Sequence, residues 1–122
     1  MKLLLEICPD FYDWPNRWMG QPADIQCGEK VLYVIKPFIE DLLLKGYNDK
    51  TIKRHIDNLW LLGGEIIRMV NMDSNLRKTQ ALDLILDNIG TDGGPYCRHL
   101  ETDEELKSYD STCRKLFRYF QL

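Results

Sequence analysis

The chain has 122 residues, 44% apolar and 29% charged, which is the composition of one ordinary globular domain. Its 16 basic and 19 acidic residues leave a net charge of −3, which excludes a protein that coats nucleic acid through a global basic excess. No apolar run approaches the ~20 residues of a membrane-spanning helix, so no membrane partner is expected.

Residues 1–28 are the least regular part. The apolar Leu3, Leu4 and Leu5 are interrupted by Glu6 and Pro9, too soon for a secretory leader. Pro9, Pro15 and Pro22 prevent a long helix, and Phe11, Tyr12, Trp14 and Trp18 lie between them. We expect an aromatic arm that plugs the core of a helical body. The alternative is a partner-binding surface, with Trp14 and Trp18 as anchors.

In residues 29–46, Val31, Val34, Ile35, Phe38 and Leu42 share one helical face, although the run around Val31–Ile35 also suits a strand. Pro37 disfavours helix at Lys36, so either a kinked helix spans the stretch or a new helix starts at Pro37. Gly46 closes it. Asn48 then caps the clearest helix of the chain. Its apolar stripe runs through Ile52, Ile56, Leu59, Trp60, Gly63, Ile66, Ile67 and Val70. The stripe keeps its phase across Gly63 and Gly64, which predicts continuity despite ~1 kcal/mol lost per glycine.

Residues 75–89 predict a third helix, capped by Ser74, and residues 91–95 a loop. A capping box, Thr102 with Glu105, opens the last helix, whose buried face is expected to hold Leu106, Tyr109, Cys113, Leu116, Phe117 and Phe120. The expected architecture is therefore all-α: a single domain, a compact bundle of four main helices with an irregular N-terminal arm.

Cys8, Cys27, Cys97 and Cys113 show no CxxC spacing and read as free thiols of a cytoplasmic protein, although their even number also permits two disulfides. Cys97, His99 and Cys113 could offer metal ligands, but their spacing fits no common zinc pattern, and no metal or cofactor is expected. Cys97 and His99, two residues apart, make a poor nucleophile–base pair without an oxyanion signature. Asp83 and Asp87 read as a solvated face, and His55 as a packing histidine. No P-loop, GxGxxG or GxSxG motif occurs, so no catalytic residue is assigned.

The basic residues carry the functional lead. Lys50, Lys53, Arg54 and Arg68 point away from the apolar stripe, with Asp57 and Glu65 on the same outer face as pairing partners. Lys107, Arg114 and Arg118 line an edge of the last helix. Leu61 faces opposite the main stripe and needs cover of its own, which suits a protein partner.

Residues 38–67, FIEDLLLKGYNDKTIKRHIDNLWLLGGEII, resemble the SAM-like N-terminal core-binding domain of tyrosine recombinases and integrases. Leu42, Leu43, Gly46, Thr51, Ile52, Ile56 and Leu59 fill that family's pattern of apolar helix, glycine turn and second helix, with Asn48 for the usual Ser. The resemblance implies a small helical domain that clamps a DNA backbone. The stretch NDKTIKRHIDNL is also similar to the recognition helix of LuxR-type regulators, matching at Lys50, Thr51, Ile52, Lys53, His55 and Asn58. The leading expectation is a nucleic-acid-associated cytoplasmic module using Lys50, Lys53, Arg54, Lys107, Arg114 and Arg118. The alternative is a protein interaction or self-assembly module with neither nucleic acid nor catalysis.

Overall fold

The computed structural model describes residues 3–121. Among them it is all-α: α1 (Leu4–Ile7), α2 (Trp14–Trp18), α3 (Asp24–Leu44), α4 (Asp49–Met72), α5 (Ala81–Leu86) and α6 (Asp103–Phe120), with 3₁₀ turns at Phe11–Asp13 and Ser74–Lys78. None of these helices is long and apolar enough to cross a membrane.

The α3–α4 hairpin is the spine. α3 also packs against α1, α2 and α5, while α4 packs against α2, α6 and the Ser74–Lys78 turn. Gly46 adopts φ 78°, the left-handed conformation that lets the chain reverse at the end of α3. Asn48 then caps α4, its Oδ1 accepting from the Thr51 N–H at 2.8 Å.

α3 is one helix that continues through Pro37, which excludes the strand and the new start at Pro37. Proline removes an N–H that would bond to the Tyr33 carbonyl. Pro37 and Tyr33 both face solvent, where water can take that carbonyl. α4 is continuous through Gly63 and Gly64, and Ile52, Ile56, Leu59, Ile66, Ile67 and Val70 are all buried.

Within the expected irregular arm, residues 1 and 2 lie outside the described residues, and residues 3–28 are more regular than read. They fold into α1, a 3₁₀ turn, α2 and the start of α3. Pro15 occupies the first turn of α2, where its missing N–H costs nothing. Asp24 is fully buried, and its carboxylate accepts from the Gly20 and Gln21 N–H groups (3.0 and 3.1 Å) and from Arg77 Nη2 (2.8 Å). Burial opposes the Asp24 charge, but these three donors hold its carboxyl below the usual range.

That contact also explains a second departure. The expected helix over 75–89 is split into the Ser74–Lys78 turn and α5. Asp73, not Ser74, supplies the cap, its Oδ1 accepting from the Asn75 N–H. Arg77, drawn to Asp24 from 53 residues away, fixes the turn, and Thr79 and Gln80 run extended before α5. In α6 the capping box forms as read, but Leu106 is 45% exposed rather than part of the buried face. The four cysteines are free and buried.

A polar seam joins α4 to α6. His55 Nδ1 lies 2.7 Å from Thr112 Oγ1, and Asn58 Nδ2 donates to Thr112 Oγ1 (2.9 Å) and to the Ser108 carbonyl (3.1 Å). Arg54 Nη2 approaches His55 Nε2 at 3.4 Å. A guanidinium can only donate, so Nε2 accepts and Nδ1 carries the proton toward Thr112. Burial, then the charges of Arg54 and Lys115, push the His55 pKa down from 6.5 to about 4.

Trp18 closes the arm onto α4. Its indole packs directly over Gly63 and its Nε1 donates to the Trp60 carbonyl at 3.0 Å. Gly63→Ala is expected to cost about 2 kcal/mol, because the new methyl collides with a ring that its own hydrogen bond fixes. Gly64→Ala, whose methyl would meet Trp18 Cδ1 at an ordinary 3.5 Å, is expected to gain about 0.5–1 kcal/mol of helix propensity. Urea titrations of the two variants check this pair of opposite signs.

His55 gives a pH prediction. Its pKa is lowered in the fold, so the unfolded chain takes up the proton first as pH falls. Stability is therefore complete above pH 6.5 and declines toward pH 4. The loss by pH 5 should be about 2 kcal/mol. Urea midpoints at pH 7 and pH 5 measure it, and His55→Gln should flatten the difference.

A candidate basic face on α4

The outward residues of α4 follow the helical period through Lys50, Arg54, Asp57, Leu61, Gly64, Arg68 and Met72. At one end, Lys50, Lys53 and Arg54 are exposed around a shallow depression of about 500 Å³ that Asp57 and Asn58 also line. Lys53 Nζ is 3.8 Å from Asp57 Oδ1, a loose exposed pair worth little. Arg54 Nη1 donates to Ser108 Oγ at 3.2 Å, which orients it across the α4–α6 groove.

At the other end lies a cleft of about 410 Å³ between α2, α4 and the Arg98–His99 turn. Trp18, Trp60, Leu61 and Gly64 line it, and Arg17, Arg68 and Arg98 surround them. Gly64 keeps the cleft open: it is the one position of the outward stripe without a side chain.

Glu65 corrects the sequence reading. Expected on the outer face, it is only 3% exposed. Its Oε1 accepts from the Arg98 backbone N–H at 3.3 Å and its Oε2 lies 3.5 Å from Arg68 Nη1. The carboxylate is buried where the turn at Arg98 supplies one donor and Arg68, one turn along α4, the other.

Trp14 and Trp18 are also corrected as partner-binding residues. They are 2% and 8% exposed, packed in one cluster with Phe11 and Trp60. The arm plugs the core, and only part of Trp18 reaches the cleft. Leu61 is half-buried against the core and lines the cleft wall.

The second basic group does not join the first. Ser108, Thr112 and Lys115 are the α6 residues that meet α4 and its entry, through Asn58, His55 and Tyr47. Lys107, Arg114 and Arg118 lie about 60–160° around α6 from those contacts, and none of them lines the depression at Lys50, Lys53 and Arg54. Lys107 and Arg118 are exposed and Arg114 is half-buried. Arg17, Arg98 and His99 escape sequence reasoning because they come from separate segments. The available signal was Gly64, a gap between Leu61 and Arg68 on the outward stripe.

Cys97 and Cys113 are buried while His99 is exposed, so the three do not converge on one accessible site. Among the described residues no group of three His, Cys, Asp or Glu side chains is placed to hold a metal ion. Burial raises the Cys97 thiol above its ordinary value, which opposes thiolate formation.

What the fold and face define together is a small helical bundle with a local cationic groove. The chain matches no protein-family model, no curated protein and no solved structure.

Glu65 provides a stability test of the cleft. Glu65→Ala leaves the Arg98 N–H and Arg68 without their acceptor and should cost about 2–3 kcal/mol, whereas Glu65→Gln keeps an acceptor and should cost about 1 kcal/mol. Thermal melts of the two variants distinguish them.

Proposed function

We propose that the protein is a nucleic-acid-associated module whose α4 outer face lies along a phosphate backbone. The observation that carries this reading is the outward stripe of α4. Lys50, Lys53 and Arg54 stand at one end and Arg68 at the other, with Arg17 and Arg98 beside it. Asp10, Asp13, Asp49, Asp57 and Glu65 lie among these six bases, and three of them pair with Arg17, Lys53 and Arg68, in a chain whose net charge is −3. α4 has 24 residues, so this face extends over about 36 Å, long enough to follow several phosphates. The likeness of residues 38–67 to DNA-clamping domains points the same way. The set narrows accordingly: Lys50, Lys53 and Arg54 remain, Arg68, Arg98 and Arg17 join them, and Lys107, Arg114 and Arg118 belong to a separate stripe. Four free thiols fit a reducing compartment such as the cytoplasm.

A protein partner is the second reading, favoured by the apolar rim of the cleft. Met72 is 73% exposed and Met19 also projects from the surface beside Trp60 and Leu61. Such a rim would receive an apolar side chain, from a different protein or from a second copy.

A duplex DNA titration tests the first reading. Affinity should fall steeply as salt rises, and Lys53→Glu with Arg54→Glu should weaken it by about tenfold or more at low salt. No binding at low salt overturns the reading. Light scattering that shows self-association lost on Leu61→Asp would favour the second.

A further inference from the structure

We propose that the cleft beside Gly64 is a binding site for one unpaired nucleotide, its phosphate held by Arg17, Arg68 and Arg98 and its base laid against the indole of Trp60, which the buried Trp18 backs. This rests on the nucleic-acid reading above and deepens it from backbone contact to capture of a base.

The first argument is the unused donor capacity. Each guanidinium spends one nitrogen inside the protein. Arg17 Nε donates to Asp13 Oδ2 at 2.9 Å, Arg98 Nε approaches His99 Nε2 at 3.4 Å, and Arg68 Nη1 lies 3.5 Å from Glu65. The remaining Nη groups of all three make no hydrogen bond among the described residues, and Arg98 has no ion pair there. Three guanidiniums that line one cleft, each with an Nη group free of partners among the described residues, offer the paired donors that bidentate recognition of a phosphate uses.

The second argument is the indole wall. Trp18 and Trp60 stack with centroids 5.8 Å apart and planes 29° apart, and both line the cleft. Every base has a π face, and stacking on an aromatic or guanidinium plane is the common way a protein holds an unpaired one. The cleft of about 410 Å³ lies within the ordinary range of small-ligand sites, ~300–1,000 Å³. Glu65, buried beneath, is a positioning residue: it ties the Arg98 backbone and the Arg68 side chain to the same wall.

The nucleotide could be free or the end of a strand, and the experiment separates the two. Adenosine monophosphate, adenosine and inorganic phosphate are titrated against the whole protein with tryptophan fluorescence as readout. A single-stranded oligonucleotide is compared with and without its 5′-phosphate. The monophosphate should quench saturably and bind about tenfold more tightly than adenosine or phosphate alone. Gly64→Leu, which fills the cleft, and Arg98→Gln, on the exposed turn, should each weaken it about tenfold. A strand that gains affinity from its 5′-phosphate assigns the site to strand ends; monophosphate binding without that gain assigns it to free nucleotide. Inorganic phosphate binding as tightly as the monophosphate, undiminished binding in Gly64→Leu, or no saturable quenching would each overturn the proposal. Duplex binding that survives any of these outcomes leaves the α4 reading in place. Duplex binding that fails while the monophosphate still binds overturns that reading alone.

Discussion

One close approach organises this molecule: the indole of Trp18 lying on α4 at Gly63. Only glycine permits it, because any Cβ there would occupy the ring's position. The Nε1 hydrogen bond to the Trp60 carbonyl then fixes the ring's orientation as well as its depth. With Trp18 fixed, α2 has one place to sit, and Phe11 and Trp14 are carried into the core behind it. Arg17, the preceding residue, is delivered to the cleft edge by the same docking. A short helix of five residues has no stability of its own. Its position is therefore a property of the α3–α4 pair on which it packs.

The buried polar groups act as long-range staples. Asp24 binds the turn before α3 to the turn after α4 through Arg77. Glu65 binds the turn at Arg98 to α4. Asp110 does the same for the glycine loop, accepting from the Gly94 N–H at 3.1 Å. Asp24 and Glu65 are buried and Asp110 half-buried, and each ties a loop or turn to a helix. Removing one partner would leave a buried charge or donor unpaired, which is costlier than the pair is favourable. The His55, Asn58 and Thr112 seam differs, since it joins two helices and selects their register rather than anchoring a loop.

What the sequence made legible follows from the range of the forces involved. The α4 stripe from Ile52 to Val70, the Asn48 cap and the Thr102–Glu105 box are local patterns, and each forms as read. Apart from the cap at Asp73 in place of Ser74, the main failures are non-local. The helicity of Trp14–Trp18 depends on α4, and the interruption after Ser74 depends on Asp24. Glu65 is buried by an N–H 33 residues away. Periodicity put Glu65 on the outer face but carried no information about what would fold over it, and it is buried. The cleft is the clearest case, since Arg17, Gly64 and Arg98 share no local pattern and meet only in the folded chain.

The same distinction governs how charge should be weighed. A net charge of −3 describes the far field, where an approaching polyanion is weakly repelled. At contact, only charges within about 8 Å act at full strength in physiological salt. α3 packs on the buried side of α4 and α5 packs behind α3, at helix spacings of about 8–10 Å. The exposed acids Glu29 and Glu40 of α3 and Asp83 and Asp87 of α5 therefore stand one or two layers behind the outward stripe. They lower the total without cancelling the local potential of Lys50, Lys53, Arg54 and Arg68. A backbone contact on this face would thus depend on few phosphates, with a salt slope set by their number, and would be disfavoured from the α3 and α5 side, where these acids face solvent.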